Sequence, residues 1–83
     1  IGDDAARYNQ GERAIAIGIS AGAFTQKSGG ISVGSYAGYV NQGTNAVAIG
    51  ISTGQTNQGQ NGVAIGFQAG QGTQGSFAIA LGF

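Results

Sequence analysis

The chain has 83 residues, of which 18 are Gly and only 7% are charged, and its net charge is zero. Such a neutral balance does not favour nucleic acid or an acidic membrane surface as a partner. Because Cys and His are absent, disulfides and thiol or imidazole chemistry are excluded. No apolar run is long enough to predict a membrane-spanning helix.

A repeat of sixteen residues runs through the chain without a gap, from Gly2 to Gly18 and onward. One column of this repeat holds only glycine, and the residue before each of these glycines is aliphatic. The repeat divides the chain into coils at about 1–16, 17–32, 33–48, 49–64 and 65–80, and residues 81–83 begin the next one. We therefore predict a single repeat domain over residues 1–83.

Each repeat length contains a stretch in which large aliphatic residues alternate with small ones, as in residues 46–51. A period of two is typical of a β-strand, and Val and Ile favour pleated structure. Because large aliphatic side chains are usually buried, we predict that they form the core. The predicted core is Ile15, Ile17, Ile31, Val33, Val47, Ile49, Val63, Ile65, Ile79 and Leu81. The opposite, small-residue face, such as Ala46 and Ala48, is a candidate contact surface.

The glycine that follows each strand predicts a corner, because glycine adopts positive φ without a steric penalty. The predicted corners are Gly18, Gly34, Gly50, Gly66 and Gly82. After the corner a second extended piece leads to a Gln, and a second turn follows near residues 59–61 in the fourth coil.

A constant repeat length of sixteen residues is explained more simply by stacked coils than by a series of hairpins. We therefore predict an all-β fold, a parallel β-solenoid or β-roll of five coils that associates with copies of itself. Each column then forms a ladder with a spacing of about 4.8 Å. The Gln column predicts a structural ladder of buried amides bonded along the stack. Its members are Gln10, Gln26, Gln42, Gln58 and Gln74.

Charge is confined to the first third of the chain. All six charged residues lie between Asp3 and Lys27, and residues 28–83 carry none. Soluble monomers usually distribute mixed charge over their surface. The bare segment therefore predicts self-association, either end to end or side by side.

Catalytic, cofactor and metal sites are not predicted. Asp3 and Asp4 are adjacent, so on a strand their carboxylates would point to opposite faces. The segment "GQGTQG" at residues 70–75 matches the dinucleotide pattern GxGxxG. No helix is predicted after it, so we interpret it as another corner. We predict that the chain is not an enzyme and takes no cofactor.

Two binding functions remain as alternatives. Ice binding would require a regular surface column of Thr, and the best candidate is the mixed column Asn9, Thr25, Asn41, Asn57 and Thr73. Tyr36 and Tyr39 lie in one repeat and are candidates either for sugar binding or for a contact within a fibre.

The segments "NAVAIGISTG", "NGVAIGFQAG" and "ERAIAIGISAG" resemble the head repeats of the YadA-like trimeric autotransporter adhesins. The resemblance covers the whole chain, although the family's unit is shorter and lacks the additional Gln-Gly of "QTNQG". It implies a left-handed parallel β-roll, three chains packed side by side, and projection from a cell surface to bind host or matrix ligands. The repeats are also similar to those of surface or fibre proteins of large DNA viruses, and "QGTNAVAI" is faintly similar to curlin repeats.

We therefore expect a structural segment of an extracellular or surface fibre or adhesin, on a cell or a virion. The expected partner is the chain itself, as a homotrimer or a filament, and neither nucleic acid nor membrane insertion is expected. The alternative is a ligand-binding module, either an adhesin head that binds host matrix or glycan, or an ice-binding solenoid.

Overall fold

A computed structural model describes residues 1–72 and 75–82, with all of their side chains except that of Asn9. The described residues form eight strands of three residues each and no helix. The strands are β1 (Tyr8–Gln10), β2 (Ile15–Ile17), β3 (Phe24–Gln26), β4 (Ile31–Val33), β5 (Val40–Gln42), β6 (Val47–Ile49), β7 (Val63–Ile65) and β8 (Ile79–Leu81). No described helix is therefore available to cross a bilayer.

The strands form two parallel sheets. The larger sheet has the order β2-β4-β6-β7-β8, and the smaller sheet has the order β1-β3-β5. Every paired residue lies opposite its equivalent sixteen positions away, as Val47 does opposite Ile31 and Val63. The prediction of a parallel β-solenoid is therefore confirmed.

The two sheets differ in length along the axis of the solenoid. The larger sheet has one strand for each of the five predicted coils. The described part of the smaller sheet has strands in the first three coils and continues into the fourth through the bridge between Val40 and Thr56.

Main-chain hydrogen bonds join each coil to its neighbours. Ile31 N donates to Ala46 O at 2.8 Å, and Gly34 N donates to Ile17 O at 2.7 Å. Because these bonds alternate between the following and the preceding coil, every inner coil is held from both sides.

The corner after each strand of the larger sheet requires glycine. All five predicted corner glycines have positive φ, from 86° at Gly82 to 126° at Gly34 and Gly50. A Cβ atom on Gly34 would lie 2.5 Å from Gly50 O in the next coil. Both the backbone conformation and the close approach of successive coils therefore exclude a side chain at this position.

Strands of the smaller sheet bend at their middle residue. Thr25 in β3 and Asn41 in β5 have φ values of 51° and 55°. This bend interrupts the usual alternation of side chains. As a result Phe24 remains half-buried on the outer side, whereas Gln26 turns inward and is 0% exposed.

Small residues and glutamines, not large aliphatic residues, fill the interior. Ala48 and Ser32, at the centres of β6 and β4, are 0% exposed, and Ile49 beside Ala48 is 38% exposed. The prediction of an aliphatic core was therefore wrong, and so was that of an exposed small-residue face. The ten residues predicted as core are half-buried or exposed on the outer side: Ile15, Ile17, Ile31, Val33, Val47, Ile49, Val63, Ile65, Ile79 and Leu81.

The narrow space between the sheets explains this inversion. The length of one Gln side chain is enough to span this space. Gln42 reaches from the smaller sheet to the main chain of the larger sheet, where its Nε2 donates to Ile31 O at 2.7 Å. A gap that one Gln spans leaves room opposite it only for Ala or Ser. Larger branched side chains would force the sheets apart and break these bonds.

Candidate functional surfaces

The outer side of the larger sheet carries two adjacent ladders of aliphatic side chains, which we call the aliphatic face. One ladder is Ile15, Ile31, Val47, Val63 and Ile79, and the other is Ile17, Val33, Ile49, Ile65 and Leu81. Exposure in the middle of the sheet is substantial, at 38% for Ile49 and 40% for Ile65. The parallel register aligns these side chains into a continuous apolar surface.

Further apolar residues extend the aliphatic face on the corner side. Ile19, Ile51 and Phe67 belong to the next outward column of the repeat and are between 52% and 54% exposed. The other described members of that column are Asp3 and Ser35. Within residues 28–83 no charged side chain interrupts this surface, because the sequence there contains no Asp, Glu, Lys or Arg.

Four rings cluster on β1, on β3 and on the segment that leads into β5, and we call this cluster the aromatic patch. Its members are Tyr8, Phe24, Tyr36 and Tyr39. Tyr8 and Phe24 stack with ring centroids 5.1 Å apart and an interplanar angle of 15°. Tyr39 meets Phe24 edge-on at 5.3 Å and meets Tyr36 edge-on at 5.0 Å. The contacts link three successive coils, and Tyr8 and Tyr36 are 45% and 38% exposed.

An ion pair borders the aromatic patch. Arg7 lies with its guanidinium carbon 5.0 Å from the centroid of the Tyr8 ring, and its Nη1 is 3.8 Å from Asp4 Oδ2. Both charged side chains are about half exposed, so the pair contributes little to stability. Its effect is to neutralise the charge beside the rings.

Two exposed amide ladders continue the same face beyond the rings. Asn41 Nδ2 donates to Asn57 Oδ1 at 3.1 Å, and Gln71 Nε2 donates to Gln55 Oε1 at 2.8 Å. Gln55 follows Tyr39 in the same column of the repeat. The face therefore changes along the axis from aromatic rings to aligned primary amides.

Inside the solenoid the predicted Gln ladder is only partly present. Gln26 and Gln42 are 0% exposed and Gln58 is 2% exposed, whereas Gln10 is exposed and Gln74 lies outside the described residues. One direct amide bond joins the column, from Gln42 Nε2 to Gln58 Oε1 at 3.3 Å.

Most hydrogen bonds of the buried glutamines go to the main chain. Gln26 Nε2 donates to Ile15 O and to Gly30 O, at 2.7 and 3.0 Å. Gln58 Nε2 donates to Val47 O at 2.7 Å. The column therefore ties the two sheets together across the interior more than it links coils along the axis.

The structure offers little that could support chemistry at an enclosed site. No cavity is found in the described part of the chain. Among residues 1–72 and 75–82, no three acidic side chains lie close enough to hold a metal ion. The surfaces described above are flat and exposed, so they are suited to contact with another extended surface.

Sequence reasoning identified only half of the aromatic patch. Tyr36 and Tyr39 were singled out, but Tyr8 and Phe24 were not, although they are separated by the repeat length of sixteen. That spacing was the signal that could have placed both rings in one ladder. Of the column considered for ice binding, Asn41 and Asn57 bond to each other, and Thr73 is outside the described residues.

Comparisons with models of known protein families, with curated proteins and with solved structures give no match for this chain.

Proposed function

We propose that this chain is a structural segment of a surface fibre or adhesin, and that its copies associate side by side through the aliphatic face. The observation that carries the proposal is the outward position of both large aliphatic ladders of a five-stranded sheet. Soluble monomers rarely leave a contiguous apolar patch of this kind uncovered, and such patches mark interaction surfaces.

The absence of charge from residues 28–83 supports the same conclusion. Soluble monomers usually distribute mixed charge over their surface, and charged surfaces disfavour association. The centres of protein interfaces, in contrast, are depleted of charged residues. The aliphatic face has the composition of an interface centre.

The size of the face indicates how strongly two copies can bind. The two longest dimensions of the molecule are 25 and 20 Å, so one flat side has a projected area of about 500 Å². A standard stable interface buries about 800 Å² on each partner. We therefore expect association of this chain to be weak and dependent on concentration, and to strengthen where more repeats are joined.

The resemblance of the repeats to YadA-like adhesin heads supports an arrangement of three chains and a location outside the cell or on a virion. Three copies placed around one axis would each turn the aliphatic face toward the other two. The proposed role requires neither catalysis nor a cofactor.

The proposal is tested by measuring self-association of the chain and of one charged variant. Self-association would be measured by sedimentation equilibrium and by methyl NMR at protein concentrations from about 10 µM to about 1 mM, where weak association is measurable. We expect the Ile and Val methyl signals of the aliphatic face to shift with concentration. Ile49→Lys should abolish both the shift and the association, because it places a charge in the interface centre.

The matched control is Thr56→Lys, which adds the same charge to an exposed position on the opposite sheet. It should associate like the unmodified chain. A chain that stays monomeric up to about 1 mM, or a Thr56→Lys variant that disrupts association as strongly as Ile49→Lys, contradicts the proposal. Electron microscopy of the associated material distinguishes closed trimers from filaments.

A further inference from the structure

We propose that the outer face of the smaller sheet is a binding surface for a neutral polysaccharide. This inference does not depend on the aliphatic face, which lies on the other sheet. It rests on the aromatic patch and on the two amide ladders that continue it.

The aromatic patch supplies the contacts that the apolar C–H surfaces of a sugar ring require. Its four rings are linked by three centroid distances between 5.0 and 5.3 Å, so they form one continuous cluster. Tyr is favoured at recognition surfaces because it combines a large rigid apolar area with a polar end. Tyr8 and Tyr36 are exposed, and no hydrogen bond among the described residues uses the hydroxyl of either, so both can bond to a ligand.

The amide ladders supply the complementary hydrogen-bonding groups. Each primary amide has two N–H donors and an oxygen with two lone pairs. The pairs Asn41–Asn57 and Gln55–Gln71 each use one donor and one acceptor, so most of their capacity remains open to solvent. Sugar hydroxyls both donate and accept, and they match aligned amides well.

The charge of this face favours an uncharged partner. Asp4 and Arg7 form an ion pair beside the rings, with Arg7 Nη1 3.8 Å from Asp4 Oδ2, so their charges offset each other. The other groups of the face are aromatic rings, amides, Thr25, the half-buried Val40 and the exposed Thr56. Among these groups an anionic polysaccharide would find no unpaired cation, whereas a neutral one meets only neutral groups.

The shape of the face favours a long ligand over a small one. No cavity lies in the described part of the chain, so a monosaccharide would stay largely exposed to water. The column from Tyr8 through Phe24 and Val40 to Thr56 is straight, and its four members span about 14 Å at the usual strand spacing. An extended chain of several sugar units can lie along it.

The experiment measures binding to defined polysaccharides. Co-sedimentation with insoluble cellulose and chitin, and titration with soluble dextran and xyloglucan, would be compared with the anionic heparin. Because the chain has three Tyr and no Trp, the titrations can be followed by tyrosine fluorescence. We expect retention on at least one neutral polysaccharide and none on heparin.

The test variant is the double substitution Tyr36→Ser and Tyr39→Gln. Ser52 and Gln55 occupy the same columns one coil further on, so the repeat already accepts these residues. Binding should weaken by about tenfold or more, as expected when central aromatic contacts are lost. A second variant, Gln55→Ala with Gln71→Ala, removes one amide ladder without touching the rings and should weaken binding as well.

The control is Phe67→Ile, which removes an exposed ring outside the aromatic patch and introduces the residue found at position 51 of the same column. It should bind like the unmodified chain, and so should Ile49→Lys from the test of self-association. The proposal is overturned if no neutral polysaccharide binds, if heparin alone binds, or if the ring and ladder variants bind as tightly as the unmodified chain. Loss of self-association in the ring variant overturns it too, because the patch would then contact a second copy.

Discussion

Ser32 Oγ donates a hydrogen bond of 2.7 Å to Gln42 Oε1 inside the solenoid. The same position one coil earlier is Ala16, and the corresponding acceptor, Gln26 Oε1, is buried without a hydrogen-bond partner among the described residues. The presence or absence of this one hydroxyl therefore decides whether the buried Gln oxygen of a coil accepts a hydrogen bond. A buried acceptor without a partner costs about 1–3 kcal/mol.

Ala16→Ser should therefore stabilise the fold. The new hydroxyl would occupy the place that Ser32 has in the next coil and would donate to Gln26 Oε1. We expect the free energy of unfolding to rise by about 0.5–1.5 kcal/mol, measured by urea denaturation. Ala48→Ser is the control, because Gln58 Oε1 already accepts from Gln42 Nε2 at 3.3 Å. An equal gain in both variants would show that the unpaired oxygen is not the cause.

Gln42→Leu should destabilise the chain by about 1–3 kcal/mol. The substitution keeps the approximate size of the side chain but leaves the Ser32 hydroxyl without its acceptor and Gln58 Oε1 without its donor. Thermal unfolding followed by circular dichroism measures the effect. Gln10→Leu tests an exposed member of the same column and should change stability by no more than about 0.5 kcal/mol. Similar melting temperatures for all three proteins would contradict a structural role for the buried amide.

Gly34→Ala should destabilise the chain severely, by more than about 2 kcal/mol. The residue has a φ of 126°, and its Cβ would approach Gly50 O to 2.5 Å. Gly72→Ala is the control, because a Cβ there meets nothing within 4 Å. The control should be neutral or slightly stabilising, since Ala restricts the unfolded chain. If the two substitutions have equal effects in denaturant unfolding, the close stacking of corners is wrong.

Asn45→Val should destabilise the chain by about 1–2 kcal/mol. Asn45 has a φ of 58°, in the left-handed region that Asn tolerates and that a β-branched residue strongly disfavours. Thr44→Val introduces the same residue one position earlier, where φ is not positive, and serves as the control. Urea denaturation should show a large decrease only for Asn45→Val. A decrease of the same size for Thr44→Val would point to lost polar contacts instead of backbone conformation.

The repeat and the parallel register could be predicted from the sequence because both follow from spacing. Gly18 and Gly34 recur at sixteen residues, and only coils stacked in parallel place such equivalent positions side by side throughout. The corner glycines were predictable for a similar reason, because positive φ restricts the choice of residue.

The aromatic patch was predictable only in part. The spacing of sixteen between Tyr8 and Phe24 is visible in the sequence. The contact of Tyr39 with Phe24 is not, because the two residues belong to different columns and to successive coils. It depends on how the corner after each strand of the larger sheet places the side chains that follow it.

The sequence by itself determined the period, the corners and the strand-like alternation of large and small residues. It did not determine whether the large or the small residues face the interior, because both arrangements have the same period of two. The tertiary structure decided this point through the distance between the sheets. Gln42 spans the interior, so Ala48 is the size that fits opposite the smaller sheet and Ile49 must face outward.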